Sequence, residues 1–373
     1  MFASALIVAP VRGGVPEANF PSSTLFRMKM TSQAGDKLVF AHFMMGNTYP
    51  YKPENFLKDI RDAMNTGVDG FALNLGQDEW TSSRVETFFS VAQDFPSFKL
   101  FFSFDMSIIK EPNVIVEYIL QYVNHPNSFH YRGRYFVSTF AGENESFGHG
   151  DINTGWDVEI KQRLKQNGVE IHFVPSWTGY DAWNMFRRFP VVDGAFSWAA
   201  WSIFFLFSAD RRPYPDHDTP TKYDTAYMVT AREYGKTYMA GVSPCFFAHF
   251  PWKNWVYPDL TLLVRRFREI IKTQADLIQI ISWNGNISTH DIVEIDWGES
   301  HYIGTLQKEA GIPEGAEKWI TGFNHEPWRD ICRWFIQAYK FGRYPEVTVN
   351  LPLRKLMEER STDLLVSASS QLS

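Results

Sequence analysis

Apolar and polar positions along the chain change period in a repeating order. Lys37 to Met45 (KLVFAHFMM) is a continuous apolar run, the pattern of a parallel strand buried on both faces. Pro53 to Thr66 follows with Phe56, Ile60, Ala63 and Met64 on one helical face, and Gly67 closes the helix. Val68 to Asn74 is a second strand, and Val85, Phe88, Phe89 and Ala92 form the next helical stripe. Lys99 to Asp105 is a third strand, followed by a helix through Tyr118 and Val123. Tyr135 to Phe140 is a fourth, with a helix over Asp157 to Gln166 that ends at Gly168. Val169 to Pro175 and Asp193 to Trp201 are strands five and six, separated by a short helix near Ala182 to Arg188. An irregular loop, Ser208 to Thr221, carries Pro213, Pro215, His217 and Pro220, and a helix comes after it. Thr237 to Ser243 is strand seven, Leu263, Phe267, Ile270 and Ile271 mark helix seven, and Leu277 to Trp283 is strand eight. Pro327 to Phe341 is the last helix, with Ile331, Trp334, Phe335 and Ala338 on one face.

Eight strands, each followed by helical material, predict an α/β fold of the (β/α)8 TIM-type barrel kind. A doubly wound open sheet is the competing arrangement. It would carry a Gly-rich phosphate turn after the first strand, and HFMMGNTYPY offers only Gly46 there.

The length of 373 residues suits one such barrel with long loops. Residues 1–36 hold Pro10, Pro16 and Pro21 and no sustained period, so they read as a leader or poorly ordered N-terminal segment. The barrel is expected over 37–345 and a divergent C-terminal tail over 346–373. With 36 basic and 42 acidic residues the net charge is -6, and no Lys/Arg cluster suggests a nucleic-acid partner. No apolar run of about 18 residues is present, so no membrane partner is expected. Cys245 and Cys332 make neither a disulfide framework nor a zinc cluster; two buried thiols are expected, with a single bridge as the alternative. No metal or other cofactor is called for, and a monomer is expected. The start, MFASALIVAP, is a weak secretion signal because it lacks a basic n-region.

Composition sharpens the picture at one point. Aromatics reach 16%, with 13 Trp, 16 Tyr and 32 Phe. Core packing accounts for most of the Phe, but the Trp content fits an aromatic-lined cleft. Barrel chemistry sits at the strand ends, and these bring up His42, Asn74, Asp105, Trp177, Trp198, Trp201, Ser243 and Asn284. Beyond the last strand come Asp296 and Glu299, three residues apart, beside Trp297 and His301. Paired carboxylates next to Trp rings suit glycoside hydrolysis, in which one acid protonates the leaving group and the other activates water or attacks. Trp177, Trp198, Trp201 and Trp283 are candidate sugar platforms, although core packing explains each equally well taken alone. Asn74, Asn284 and His301 are candidate hydroxyl ligands. For His42 a structural role weighs more than a ligand role.

FAHFMMGNTY (Phe40 to Tyr49), DGFALNLG (Asp69 to Gly76) and DWGESHYIG (Asp296 to Gly304) together resemble the fungal α-1,3-glucanases, the mutanase family, glycoside hydrolase family 71. The resemblance spans residues 37–347. It implies a barrel followed by a β-sandwich, with endo-acting, inverting and cofactor-free hydrolysis of α-1,3-glucan in the fungal cell wall. It also implies an extracellular or wall location. The family's D-W/Y-G-E acids match Asp296 and Glu299, and its further Asp matches Asp105. Asp69 and Asp78 compete for that last place, and the position of Asp69 early in a strand favours a structural role.

Two departures stand out. Gly285 to Ile295 separates Asn284 from Asp296, where relatives run directly from S-W-N into D-x-G-E-S. After Val347 no run of alternating strands announces the sandwich. They keep a second reading open, a catalytically impaired relative that binds glucan; a third, a barrel glycosidase of different linkage specificity, stands because an aromatic cleft says nothing about linkage.

Overall fold

Strand residues with alternating destinations build the molecule. In β1 (Leu38–Met44), Val39, Ala41 and Phe43 pack outward against helices, while Leu38 and Phe40 point to a separate inner cluster. The computed structural model describes residues 37–177, 179–200, 221–244, 246–250, 253–257, 262–284, 298–300 and 326–342.

Within them, β1 pairs in parallel with β2 (Gly70–Leu75), and β2 with β3 (Lys99–Asp105). β3 pairs with β5 (Arg134–Phe140), and β5 with β6 (Ile171–Phe173). On the other side β1 pairs with β11 (Leu277–Ile280), β11 with β8 (Thr237–Val242), and β8 with β7 (Gly194–Ser197). Two backbone hydrogen bonds join the ends of this path: Asp193 N–H donates to Phe173 O (2.7 Å) and Phe196 N–H to Pro175 O (2.9 Å). Eight parallel strands therefore close into a ring in chain order, the (β/α)8 barrel that the block pattern predicts. β4 (His130–Tyr131) adds an antiparallel partner to β5. The open doubly wound sheet is thereby ruled out.

The inside of the ring is plugged by Phe40, Phe101, Phe136, Phe196, Met239 and Ile281. Outside lie α1 (Pro53–Thr66), α2 (Thr81–Ala92), α3 (Pro112–Tyr122), the α4/α5 pair (Ile152–Trp156, Arg163–Gln166), α6 (Met185–Arg188), α7 (Thr221–Tyr234), α8 (Leu262–Thr273) and α9 (Glu326–Phe341). A π-helical stretch, Asp157–Gln162, joins α4 to α5. α1 starts with proline at its first turn and stops at Gly67, whose φ of 92° is the left-handed cap that glycine adopts without a Cβ penalty. Gly70 is required for a different reason: a Cβ there would lie 1.9 Å from the Lys99 carbonyl oxygen.

The lower rim, where strands begin, is tied by charge. Asp69 accepts from Val39 N–H (2.7 Å) and meets Lys340 Nζ at 2.6 Å, the structural role expected of it. Asp193 holds Lys161 (2.9 Å) and Arg134 (2.8 Å) together. Cys332 is a free buried thiol on α9; Cys245 falls outside the described residues, as do 1–36 and 343–373. A second sheet is formed by β9 (Phe246–Phe250), β10 (Lys253–Tyr257) and β12 (Gly298–Ser300) in the antiparallel order β10-β9-β12. No described helix is long and apolar enough to cross a membrane.

Candidate active site

Above the apolar plug the inner face turns polar. Strand register sets Asn74 beside Ser103, and Ser103 beside Ser138, on successive strands. Asn74 donates to Ser103 O (3.3 Å) and Ser138 Oγ to Val174 O (2.7 Å). On the adjoining strands β1 and β11, the Gln279 side-chain amide and His42 Nδ1 lie 2.9 Å apart, within hydrogen-bond distance. The His42 ring meets Trp198 edge-on at 4.8 Å, and Trp198 in turn meets Phe140 at 4.8 Å. His42 and Asn74 are buried below a half-buried Trp198, so this Trp offers an aromatic surface at the barrel mouth. Ser103, Ser138, Ser176 and Gln279 are further members of this polar collar. Their sequence signal is a small or polar side chain interrupting an apolar strand at its inward positions.

Asp105 ends β3 opposite Phe140 and is half-buried. Its Oδ1 accepts from Ser107 N–H (3.0 Å) and Ser107 Oγ (2.5 Å). Desolvation pushes its pKa up, and the Ser107 contacts and Lys110 offset part of that rise. A carboxyl that keeps its proton more readily than usual is suited to general acid work or to electrostatic tuning of a neighbour. Asp78, exposed beyond β2, is also raised by desolvation; its Oδ2 lies 3.4 Å from where a Cβ on Gly46 would sit. Two acids thus occupy the mouth on adjoining strands. A third carboxylate, Glu143 beyond β5, packs against Gly179 and has one buried oxygen without a partner.

Two sugar-platform expectations need correction. Trp177 is 1% exposed and packs on Trp156, Phe173 and Phe189 in the layer between strands and helices. Trp283 is fully buried in the same layer beside α1, where its indole N–H donates to Asp59 Oδ1 at 3.0 Å. Neither ring faces the mouth, because burial against helices is where a large apolar surface gains most. Asn284 also departs from a ligand role: its amide accepts from Met44 N–H (2.7 Å) and donates to Met44 O (3.1 Å), clasping the chain beyond β11 to β1. Glu299, expected on a loop, lies in strand β12 with its backbone opposite Ala248 of β9. Asp296, Trp201 and His301 lie outside the described residues, as does the Gly285–Ile295 segment. Among the described residues no cluster of three His, Cys, Asp or Glu side chains is arranged for a metal ion.

A closed parallel barrel with acids and a half-buried Trp at the C-terminal ends of its strands is the architecture of a barrel enzyme acting on a polar substrate. A family model described as Glycosyl hydrolase family 71 matches residues 35–357. The chain belongs to that family. It is 41% identical over 320 residues to the glucan endo-1,3-alpha-glucosidase agn1 of Schizosaccharomyces pombe, covering 85% of this chain and 69% of the relative. An ascus wall endo-1,3-alpha-glucanase of the same organism is 32% identical over 317 residues, covering 83% and 68%. A mutanase of Penicillium rubens is 34% identical over 317 residues, covering 84% and 64%. Among solved structures, the endo-alpha-mannosidase of glycoside hydrolase family 99 from Bacteroides thetaiotaomicron superimposes with a TM-score of 0.59 at 12% identity, covering 83% of this chain and 98% of that one. That likeness speaks to the barrel fold alone.

Proposed function

We propose that this chain hydrolyses α-1,3-glucosidic bonds within α-1,3-glucan, acting endo and with inversion at the anomeric carbon. The observation that supports this reading most is its 41% identity, over 85% of the chain, to a protein named a glucan endo-1,3-alpha-glucosidase. Glu299 is assigned as the acid that protonates the leaving oxygen, and Asp296 as the base that activates water. Inversion needs two such carboxyls roughly 6.5–9.5 Å apart, the acid against the leaving oxygen and a water between the base and the anomeric carbon. Asp105 supplies either the far carboxylate or a neighbour that shifts the pKa of one of the pair. Trp198 is the stacking surface within the mouth. An insoluble wall polymer as substrate assigns the enzyme to the cell exterior or the wall.

Reducing-sugar release from insoluble α-1,3-glucan by the purified chain tests this. The chain is expected to release sugar, and Glu299→Gln to lose at least about a hundredfold in rate. Near-normal activity in that variant overturns the assignment of Glu299. Equal or greater release from an α-glucan of another linkage overturns the specificity. The Gly285–Ile295 segment favours a second reading, a glucan binder with impaired cleavage. Retention on the polymer without sugar release would establish it.

A further inference from the structure

We infer that the connection from β6 to α6 forms an accessory glucan-binding cleft, distinct from the cleavage centre and resting on the α-glucanase reading above. The cavity there has a volume of about 550 Å³ and is lined by Tyr180, Asp181, Asn184, Arg187 and Arg188. That volume lies within the range of roughly 300–1,000 Å³ common to small-molecule sites. It lies along the connection that follows β6 and the short helix α6.

The local sequence explains the surface. Ala182, Met185, Phe186 and Phe189 are buried, so Asp181, Trp183, Asn184, Arg187 and Arg188 are left on the solvent side. Trp183 is the anomaly in this pattern: it is 56% exposed, although the adjoining residues show that a core is within reach. A large ring held in water beside polar side chains is a surface for stacking on a sugar face.

The polar groups are already ordered. Asp181 accepts from Trp183 N–H (3.2 Å) and from Asn184 Nδ2 (2.6 Å), and Asn184 Oδ1 accepts from Arg187 (2.6 Å). The Arg188 guanidinium lies 4.4 Å from the centre of the Tyr180 ring. Binding therefore has little side-chain entropy left to remove. A carboxylate, an amide and two guanidinium groups offer both acceptors and donors at close spacing, which matches the vicinal hydroxyls of a neutral hexose. An accessory site of this kind holds an insoluble chain against the enzyme while the mouth works on another part of it.

The experiment compares the wild-type chain with Trp183→Ala. It measures adsorption to insoluble α-1,3-glucan and the rate of cleavage of a soluble short α-1,3-gluco-oligosaccharide. The exposure of Trp183 predicts an unchanged melting temperature for the variant. Adsorption is expected to weaken by roughly five-fold, with the soluble rate unchanged. Unchanged adsorption, or no adsorption by the wild-type chain, overturns the inference. A parallel fall in both readouts also overturns it, because the ring would then belong to the cleavage cleft. Displacement of the polymer by inorganic phosphate would overturn it too, making the arginines an anion site. If the wild-type chain adsorbs in a Trp183-dependent way yet releases no sugar, the glucanase reading fails and the cleft stands. If it cleaves and Trp183→Ala adsorbs equally, the cleft alone fails.

Discussion

The indole N–H of Trp283 donates to the buried carboxyl of Asp59 at 3.0 Å, fastening the residue just beyond β11 to helix α1. Burial pushes the Asp59 pKa up to about 7, against smaller lowering effects from Trp283 and Tyr51. The folded protein therefore keeps a proton that the unfolded chain gives up near pH 4. Stability from this group is full below about pH 4, declines as pH rises and is lost through pH 7, with a span of about 4 kcal/mol. Asp59→Asn keeps an acceptor for the indole and cannot ionise. Its melting temperature is expected to lack this part of the pH slope and to exceed that of the wild-type chain above pH 7. Parallel melting curves between pH 4 and 8 would contradict the assignment.

Asp224 on α7 and Arg266 on α8 form a fully buried ion pair at 2.5 Å. Arg266 also donates to Gly241 O at 2.6 Å, and Asp224 accepts from Tyr238. Arg266→Met strands the Asp224 carboxylate and is expected to cost about 3–5 kcal/mol in urea unfolding. Asp224→Leu combined with Arg266→Met removes both charges and is expected to cost less than the single change. A double variant weaker than the single one would show that the pair contributes more than mutual neutralisation.

At the mouth, Asp105→Asn retains shape and removes the ionisable group. The expected result is a kcat lowered by about a hundredfold or more, with KM little changed and the melting temperature unmoved. A fall in melting temperature without a specific loss of kcat would return Asp105 to a structural role and bring Asp78 forward.

The Gly285–Ile295 segment can be tested by removal. Asn284 is clasped to β1 before it and Gly298–Ser300 is paired with β9 after it, so both flanks are held by contacts that do not depend on the length between them. The chain as it stands is expected to be active, with deletion changing the rate by less than about tenfold. A hundredfold gain on deletion would mean that the segment displaces the acids, since an error of about 1 Å can have that effect.

The barrel was legible because its strands are long apolar runs and its helices carry explicit stops; α1 falls at Pro53–Thr66, as the Pro and Gly67 signals require. What escaped was local or register-dependent. β4 is only two residues long, and the β9–β10 hairpin lies in a stretch without clean alternation. Trp177 was readable in principle, because His172, Val174 and Ser176 point inward and the next residue must face the helices. Trp283 was not: Leu277 and Ile281 join the inner cluster while Trp283 joins the outer one, so strict alternation from the strand would have sent it inside. The family motifs announced the acids Asp296 and Glu299, yet residue type alone did not reveal that β9, after a different barrel strand, would be the one to hold Glu299.

That last pairing has a consequence for how the chain can change. Glu299 follows β11 in sequence, but its backbone is moored to a hairpin rooted after β8. The place of the Glu299 backbone is thus given by its pairing with β9 and not by how many residues precede it. A peptide cloned in ahead of Gly298 is therefore expected to leave the strand bearing the acid berthed against the same neighbour.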